Sequence, residues 1–357
     1  MFQCPTSEVL LRYLRDEISA EEQSELEPHL SECSKCQDSL DRLLPKAGPS
    51  GPLLAASQGG PPQVPGYQVM DWIASGGMGV VFRAIDLSLE REVALKVLRP
   101  ISRGNVEARR RFVAEAGITG RLEHPGIVPI HAAGIDDHGD PYFVMRLFSG
   151  RTLAAAIDDL RSATSRREAF RELVRRLVAV CQTIGYAQSQ GVVHRDLKPD
   201  NIILGEYGET VVLDWGLAEL AADGGWPADH RTGEGSRGET VPAPRLDGAL
   251  VGTPAFTLVG TPAFMSPEQA AGDHTAVGPA TDIFALGAIL YQILCGRPPY
   301  EGEREAVLKQ AREAAFLPPT RCAKGVPRAL EAVCLRAMAK IPSDRYATPM
   351  ELADDLE

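Results

Sequence analysis

The spacing of apolar and polar residues changes along the chain, from strand-like runs to helical stripes. Residues 67–73, 80–85 and 92–98 are short runs of alternating or β-branched side chains separated by glycine and charged residues, which predicts three strands. Apolar residues within 170–184 recur at i, i+3 and i+4, which predicts a helix that Gly191 ends. Strands followed by helices predict an α+β region built in two lobes.

A second helical segment, residues 283–295, is apolar on every face apart from Gln292. Its 13 residues are too few to span a bilayer, which takes about 20, so we expect a buried helix. The N-terminus carries charge where a signal peptide needs an apolar segment, and the seven cysteines are an odd number. These features predict a cytoplasmic protein with no membrane segment in this chain. Anchoring in a membrane would require a chain that continues beyond residue 357.

Proline and glycine make up half of residues 45–66, a composition typical of a flexible linker. It separates a short N-terminal module, residues 1–44, from a large region, residues 67–357. The module contains 10 acidic and 4 basic residues, and helical spacing of its leucines predicts two or three short helices. The whole chain has a formal net charge of −11, which argues against nucleic-acid binding because that requires a basic face.

Another glycine-rich stretch, residues 222–249, has no apolar period and predicts a mobile loop. Directly after it the heptapeptide LVGTPAF occurs twice, at 250–256 and 258–264. Seven residues are too few for a solenoid repeat, so we interpret the repeat as a local duplication within a loop.

A glycine-rich turn, residues 73–81, lies between the first two predicted strands. Glycines there let backbone N–H groups approach phosphates, although a plain hairpin turn has the same composition. Lys96 on the next strand favours phosphate binding, because a lysine fixed beside such a turn reaches the phosphates of a nucleotide.

Two further motifs carry more specific chemistry. The segment 194–201, HRDLKPDN, combines a carboxylate, a cation and an amide, and residues 214–216, DWG, follow a strand-like run. Residues 260–270 read GTPAFMSPEQA. Together with the glycine-rich turn and Lys96, these motifs resemble the eukaryotic-type protein kinase family, most closely its bacterial Ser/Thr kinases. The resemblance covers residues 67–357.

This resemblance implies a bilobal kinase fold, with a β-rich N-lobe over 67–145, a helical C-lobe over 149–357 and an activation segment over 214–268. It implies ATP and Mg²⁺ as cofactors and proteins as substrates. The implied reaction is transfer of the γ-phosphoryl group of ATP to Ser or Thr, with autophosphorylation, in bacterial signalling.

The resemblance also implies roles for individual side chains. Asp196 would accept the proton of the substrate hydroxyl, and Lys198 would neutralise charge on the transferred group. Lys96 would hold the α- and β-phosphates and pair with Glu115 on the following helix.

Asn201 and Asp214 would bind Mg²⁺, and residues 146–148 would meet the adenine. The residues implied to surround the nucleotide are Ile73, Ala74, Ser75, Gly76, Gly77, Met78, Gly79, Val81, Lys96 and Met145.

The resemblance also implies residues that hold the catalytic loop and the activation segment in place. Glu268 would pair with Arg345, and Asp282 would brace the loop that carries Asp196. We expect His194 and Trp215 to be packing residues.

The activation segment departs from the family because it is unusually long. Thr261, next to the closing SPE motif, should form hydrogen bonds near Asp196. Thr253 and Thr257 are then candidate phosphorylation sites. The alternative is that residues 222–256 are an insertion without a regulatory role.

The N-terminal module contains a second chemical signal. Spacings of four and three residues place His29, Cys33 and Cys36 on one helical face, and Cys4 supplies a fourth soft ligand. A Cys₃His set suits Zn²⁺, which would stabilise a module with little core of its own. The pattern resembles zinc-binding anti-sigma-factor domains, which implies a sigma factor as a possible partner. The alternative is a helical hairpin with unliganded thiols.

The other four cysteines lie in apolar, helical contexts, where we expect buried packing residues. They are Cys181, Cys295, Cys322 and Cys334.

Two other functions remain compatible with these motifs. One is a pseudokinase scaffold, which the complete set of kinase residues disfavours. The other is a regulator that binds a sigma factor through residues 1–44.

Overall fold

The chain folds into a β-rich lobe and a larger helical lobe, with a short helical segment ahead of them. In that segment α1 spans Ser7–Leu14, and Leu10 packs with Leu30 and Cys36. Residues 45–61 of the predicted linker, the glycines at 76 and 77, and the predicted loop at 222–249 lie outside the described residues. The computed structural model describes residues 4–14, 22, 26, 29–30, 33, 36, 62–75, 79–99, 102, 104–160, 165–220, 261–273 and 275–357.

The N-lobe contains five strands and one helix in its described residues. They are β1 (Tyr67–Ser75), β2 (Gly79–Asp86), β3 (Arg91–Leu98), α2 (Val106–Thr119), β4 (Ile130–Ile135) and β5 (Pro141–Arg146). The sheet has the order β1-β2-β3-β5-β4, and neighbouring strands are antiparallel. Helix α2 begins after Asn105, whose side chain accepts hydrogen bonds from the backbone N–H groups of Glu107 and Ala108.

The three strands predicted from the sequence are confirmed, each one or two residues longer than expected. Their shared core includes Phe82, Leu95 and Val144. Val64, which the sequence placed in the linker, is also buried in this core, and Leu87 donates its backbone N–H to the Gly66 carbonyl at 3.0 Å. The last residues of the predicted linker therefore pack as part of the N-lobe.

The C-lobe is mostly helical, with two small sheets of strand order β6-β8-β9 and β10-β7 beside the catalytic motifs. Its elements are β6 (Gly150–Thr152), α3 (Leu153–Asp159), α4 (Arg166–Ser189), β7 (Val192–Val193), β8 (Ile202–Gly205), β9 (Thr210–Val212), β10 (Glu219–Leu220), α5 (Pro267–Ala271), α6 (Pro279–Cys295), α7 (Arg304–Glu313), α8 (Pro319–Cys322), α9 (Arg328–Ala337) and α10 (Pro349–Leu356).

Helix α6 lies in the core of this lobe. It begins four residues earlier than predicted. Its first turn contains Thr281 and Asp282, which are buried but polar, so the apolar pattern did not include them. A Cβ atom on Gly287 would lie 2.8 Å from side-chain atoms of Ala337 and Met338, so glycine is what lets the end of α9 pack directly on α6. Among the described helices, none combines the length and apolar character needed to cross a membrane.

The four cysteines of the C-lobe differ in exposure. Cys181 and Cys334 are buried, as expected, whereas Cys295 and Cys322 are only half-buried. The expectation of four buried packing residues is therefore wrong for the second pair.

Candidate active site

A buried ion pair joins the central strand of the N-lobe to its helix. Lys96 of β3 donates from Nζ to Glu115 Oε1 of α2 at 2.5 Å, and the same Nζ lies 3.8 Å from Asp214 Oδ1 of the C-lobe. Burial tends to lower the pKa of Lys96, but the two carboxylates outweigh it and raise this pKa. Lys96 therefore stays positively charged between the lobes.

The space for the Lys96 side chain depends on Gly79. A Cβ atom at that position would lie 2.9 Å from Lys96 Cε and 3.1 Å from the Phe112 ring. A larger residue at the start of β2 would force the Lys96 side chain or the Phe112 ring to shift.

Asp282 of α6 binds the backbone of the loop that carries Asp196. The Asp282 carboxylate accepts the backbone N–H groups of His194 and Arg195, each at 2.9 Å. Arg195 has a φ of +70°, a left-handed conformation that costs energy for a residue with a side chain. The expected bracing role of Asp282 is therefore visible as two hydrogen bonds.

His194 and Trp215 pack together behind this loop. Both are buried, their ring centroids are 4.6 Å apart, and His194 Nε2 lies 3.2 Å from the Leu213 carbonyl oxygen. This agrees with the expectation that they are packing residues.

Three hydrogen bonds link Asp196, Lys198 and Thr261 to one another. Lys198 Nζ donates to Asp196 Oδ2 and to Thr261 Oγ1, both at 2.9 Å, and the backbone N–H of Thr261 donates to Asp196 Oδ1 at 3.1 Å. Burial tends to lower the pKa of Lys198, but the charge of Asp196 raises it more. Thr261 forms the hydrogen bond expected near Asp196: its N–H fixes Oδ1, while Lys198 fixes Oδ2.

Asp214 and Asn201 carry side-chain oxygens that could ligate a metal ion near Asp196 and Lys198. Lys96 and Lys198 hold the pKa of Asp214 below its usual range, although burial acts in the opposite direction. The side chain of Asp214 is still 43% exposed, so its charge faces an open cleft. Asn201 donates its Nδ2 to the Asp196 carbonyl at 3.0 Å, which directs its Oδ1 away from that bond.

Several of the predicted nucleotide-binding residues lie in paired strands of the N-lobe sheet. Ala74 pairs with Val81 and Ser75 pairs with Val80 across β1 and β2, and Met145 of β5 pairs with Ala94 of β3. The remaining predicted nucleotide-binding residues, Gly76, Gly77 and Met78, lie outside the described residues, as do Thr253 and Thr257.

An ion pair anchors the end of the activation segment. Arg345 donates from both terminal nitrogens to Glu268, at 2.7 and 2.8 Å, and Thr281 Oγ1 donates to Glu268 Oε1 at 2.9 Å. Burial tends to raise the pKa of Glu268, but the Arg345 guanidinium outweighs it and lowers this pKa. The expected pairing of these residues is present.

Cys4, His29, Cys33 and Cys36 come together in the N-terminal segment, with their ligand atoms all within 4.8 Å of one another. The Cys4 and Cys33 sulfurs are 3.7 Å apart, close to the edge of about 3.8 Å in a tetrahedron with Zn–S bonds of about 2.3 Å. Without a metal, burial together with Cys33 and Cys4 raises the pKa of Cys36 to about 12. A cation would offset the mutual repulsion of the thiolates, so this donor set fits Zn²⁺.

Comparison with known proteins agrees with this geometry. Residues 67–348 match the protein kinase domain family. The chain belongs to that family. Residues 6–37 match a second family, described as "Putative zinc-finger", and this match contains three of the four clustered ligands.

Several curated bacterial proteins are similar to this kinase domain, all named serine/threonine-protein kinase PknD. The protein from Protochlamydia amoebophila (strain UWE25) is 34% identical over 311 residues, and the one from Chlamydia pneumoniae is 36% identical over 305 residues. These alignments cover 84% and 82% of this chain but only 30% and 31% of the relatives. The chain therefore spans about a third of the length of the curated relatives it matches.

Two contacts that position the loop carrying Asp196 were not predicted from the sequence. Gln269 donates its Nε2 to the Arg195 carbonyl at 2.7 Å, and Gln188 of α4 donates to Asp282 Oδ2 at 3.3 Å. Ser266 and Gln269 have the spacing of a capping box, and that box is formed at the start of α5. The spacing could have marked Gln269 as a structural residue, but no local signal indicates its contact with Arg195.

Proposed function

We propose that this protein is a Ser/Thr protein kinase that transfers the γ-phosphoryl group of ATP to Ser or Thr of proteins, itself included. The observation that carries the proposal is the pair of contacts from Lys198 and Thr261 to Asp196. They hold the side chain of Asp196 in one orientation through both of its oxygens. The names of the bacterial relatives support the same reaction and a role in bacterial signalling.

Each of these side chains has a separate role in such a reaction. Asp196 orients the substrate hydroxyl and accepts its proton, because it is the carboxylate that Thr261 and Lys198 fix in place. Lys198 neutralises charge on the transferred group, and Lys96, fixed by Glu115, holds the α- and β-phosphates.

The nucleotide would lie against the strands β1, β2, β3 and β5. We assign it the first turn residues Ile73, Ala74 and Ser75 together with Gly79 and Val81, and Met145 at its base side. The turn glycines 76 and 77 and Met78 complete this proposed site.

Asn201 and Asp214 are the residues that would hold Mg²⁺. Amide and carboxylate oxygens are the ligands this ion prefers, and the lowered pKa of Asp214 keeps its carboxylate charged. When bound, the ion would neutralise charge on the phosphates.

Regulation is proposed for the segment before Thr261. Thr253 and Thr257 are the candidate phosphorylation sites, and Arg195 beside the catalytic aspartate could pair with a phosphate there. Mass spectrometry of active protein tests this point, and an unmodified 214–268 segment would contradict it.

We further propose that residues 1–44 form a structural zinc module that docks a protein partner, with a sigma factor as the leading candidate. The Cys₃His cluster and the zinc-finger match support the metal. Zinc-bound thiolates and ATP use both fit a cytoplasmic setting. A pull-down with full-length protein and with protein lacking residues 1–44 tests the partner, and equal capture by both would contradict it.

A pseudokinase scaffold is the competing function for the large domain. Incubation with radiolabelled ATP, Mg²⁺ and a generic protein substrate, followed by phosphoamino-acid analysis, separates the two. Labelled phosphoserine or phosphothreonine is expected. Nucleotide binding without any labelled product would favour the scaffold, and labelled phosphotyrosine alone would contradict the Ser/Thr assignment.

A further inference from the structure

Two cysteines outside the kinase site lie together where the ends of α6 and α8 meet. Cys295 is the last residue of α6, and Cys322 is the last residue of α8. Arg297, two residues after Cys295, contacts Cys322 Sγ, each thiol influences the ionisation of the other, and both side chains are half-buried. The pair is therefore close enough to react internally and open enough to meet a small reagent.

The guanidinium of Arg297 lies against the sulfur of Cys322. Its Nε–H points at Cys322 Sγ over 3.1 Å. Arg297 also donates from Nη1 to Glu301, which holds the other side of the guanidinium. A fixed positive charge with a donor aimed at the sulfur favours the thiolate, which is the nucleophilic form of cysteine.

The two thiols differ in their tendency to ionise. Burial tends to raise the pKa of Cys322, but the nearby Tyr291 hydroxyl and Arg297 guanidinium outweigh it, so this pKa is lowered. Burial, reinforced by Cys322, raises the pKa of Cys295 to about 12. Burial also raises the pKa of Cys181 and of Cys334. Cys322 is therefore set apart from these three cysteines of the C-lobe.

We propose that Cys322 is a modification site for hydroperoxides and alkylating reagents, with Cys295 as its resolving thiol. The site rests on the contact of Arg297 with Cys322 and on the adjacent Cys295, and it does not depend on phosphoryl transfer. A bond between the two sulfurs would tie the C-terminal end of α6, the helix that carries Asp282, to α8.

The reaction with hydrogen peroxide has two steps. The Cys322 thiolate attacks one peroxide oxygen, so that an S–O bond forms, the O–O bond breaks, and the departing hydroxide takes up a proton to become water. Cys322 is thereby oxidised to a sulfenic acid while the peroxide is reduced. The sulfur of Cys295 then attacks Cys322, the S–S bond forms, and the S–O bond breaks as water leaves with the Cys295 proton.

The test uses the full-length, zinc-loaded protein and quantitative mass spectrometry of its cysteine peptides. With limiting iodoacetamide under native conditions, Cys322 should react at least about tenfold faster than Cys181 and Cys334. With one equivalent of hydrogen peroxide, a disulfide-linked peptide pair containing Cys295 and Cys322 should form. Equal alkylation rates for the three cysteines, or no linked pair after peroxide treatment, would overturn the proposal.

Variants separate the attacking thiol from the resolving one. Cys295→Ser should leave Cys322 as a sulfenic acid that dimedone traps, whereas Cys322→Ser should leave Cys295 unmodified. Reaction of Cys295 at the wild-type rate in Cys322→Ser would contradict the assignment of the attacking thiol.

A matched pair of arginine variants tests the guanidinium. Arg297→Gln should slow alkylation of Cys322 several-fold, whereas Arg321→Gln removes the neighbouring exposed charge and should leave the rate unchanged. Equal effects of the two variants would mean that the contact of Arg297 is irrelevant. If Arg297→Gln fails to fold, the two cysteine variants still decide the proposal.

Discussion

The Asp282 carboxylate holds the backbone of Arg195 in a left-handed conformation, with a φ of +70° and a hydrogen bond of 2.9 Å to its N–H group. The two residues are 87 positions apart in sequence. The strained loop conformation therefore depends on a charge that a distant, buried helix supplies. Asp196, the next residue in the loop, takes its direction from this backbone.

The first prediction concerns this contact. Asp282→Asn retains only one acceptor oxygen, so at least one hydrogen bond to a charged group, worth about 1.5–3 kcal/mol, is lost from the loop. We expect phosphoryl transfer to fall at least about tenfold. Because burial raises the pKa of Asp282, removal of its charge also relieves a desolvation cost, so the melting temperature should change less than the activity.

Asp354→Asn is the matched control for Asp282→Asn, since Asp354 is exposed on α10. Its activity should equal that of the wild type. Wild-type activity in Asp282→Asn as well would show that the brace is unnecessary.

The second prediction concerns Thr261, whose hydroxyl accepts the Lys198 hydrogen bond. Thr261→Ala removes this acceptor but keeps the backbone N–H that binds Asp196. We expect kcat to fall about tenfold for a peptide substrate, because Lys198 loses one of the two contacts that position it. Thr261→Ser restores the hydroxyl and should recover most of the rate, and failure of the serine variant to do so would contradict the role of Oγ1.

The third prediction is a pH dependence of stability from the Glu268–Arg345 pair. The folded-state pKa of Glu268 lies below its unfolded value, so its ionised form stabilises the fold above that unfolded value, about 4.3. This contribution is lost as the pH falls through the lower, folded-state pKa. Chemical denaturation of the wild type and Glu268→Gln should give free energies of unfolding whose difference is largest near pH 7 and shrinks below about pH 4.

A difference between the wild type and Glu268→Gln that stays constant from pH 7 to pH 3 would contradict this coupling. Glu206→Gln changes an exposed carboxylate and should show no such trend.

The fourth prediction concerns the N-terminal cluster. Elemental analysis should find one zinc per chain, and Cys33→Ser or Cys36→Ser should lose it, because each removes one ligand of a four-ligand site. Acidification should also release the metal, since thiolates must be deprotonated to bind it. Kinase activity on a generic substrate should stay nearly unchanged.

Cys322→Ser lies outside the cluster and should retain the zinc. Zinc-free wild-type protein whose residues 1–66 are nonetheless folded would contradict a structural role for the metal.

Local motifs made much of the site predictable. Lys96 and Asp196 stand in segments whose residue types and spacing already indicate phosphate chemistry, and the strands around Lys96 alternate clearly enough to be placed within two residues. The zinc ligands were predictable for a similar reason, because three of them share one helical face.

Tertiary contacts set the limit of this prediction. The bond from Gln269 to the Arg195 carbonyl spans 74 positions, and nothing near Gln269 indicates its partner. Cys295 ends an apolar run in sequence, yet it and Cys322 lie at helix ends near Arg297, which leaves them partly open. Val64 follows a proline-rich stretch, but packing against β1 and β2 brings it into the core.

The central claim is that Asp196 is the catalytic carboxylate of a Ser/Thr kinase. The most direct measurement is the rate of phosphate incorporation from ATP into the protein and into a generic substrate by the wild type, Asp196→Asn and Asp200→Asn. The last variant changes an exposed carboxylate four residues along the same loop. The account predicts that Asp196→Asn loses at least about 99% of the rate, since general acid–base groups contribute 10²–10⁴-fold, while Asp200→Asn stays within about twofold of the wild type. Comparable transfer by Asp196→Asn and the wild type would contradict it.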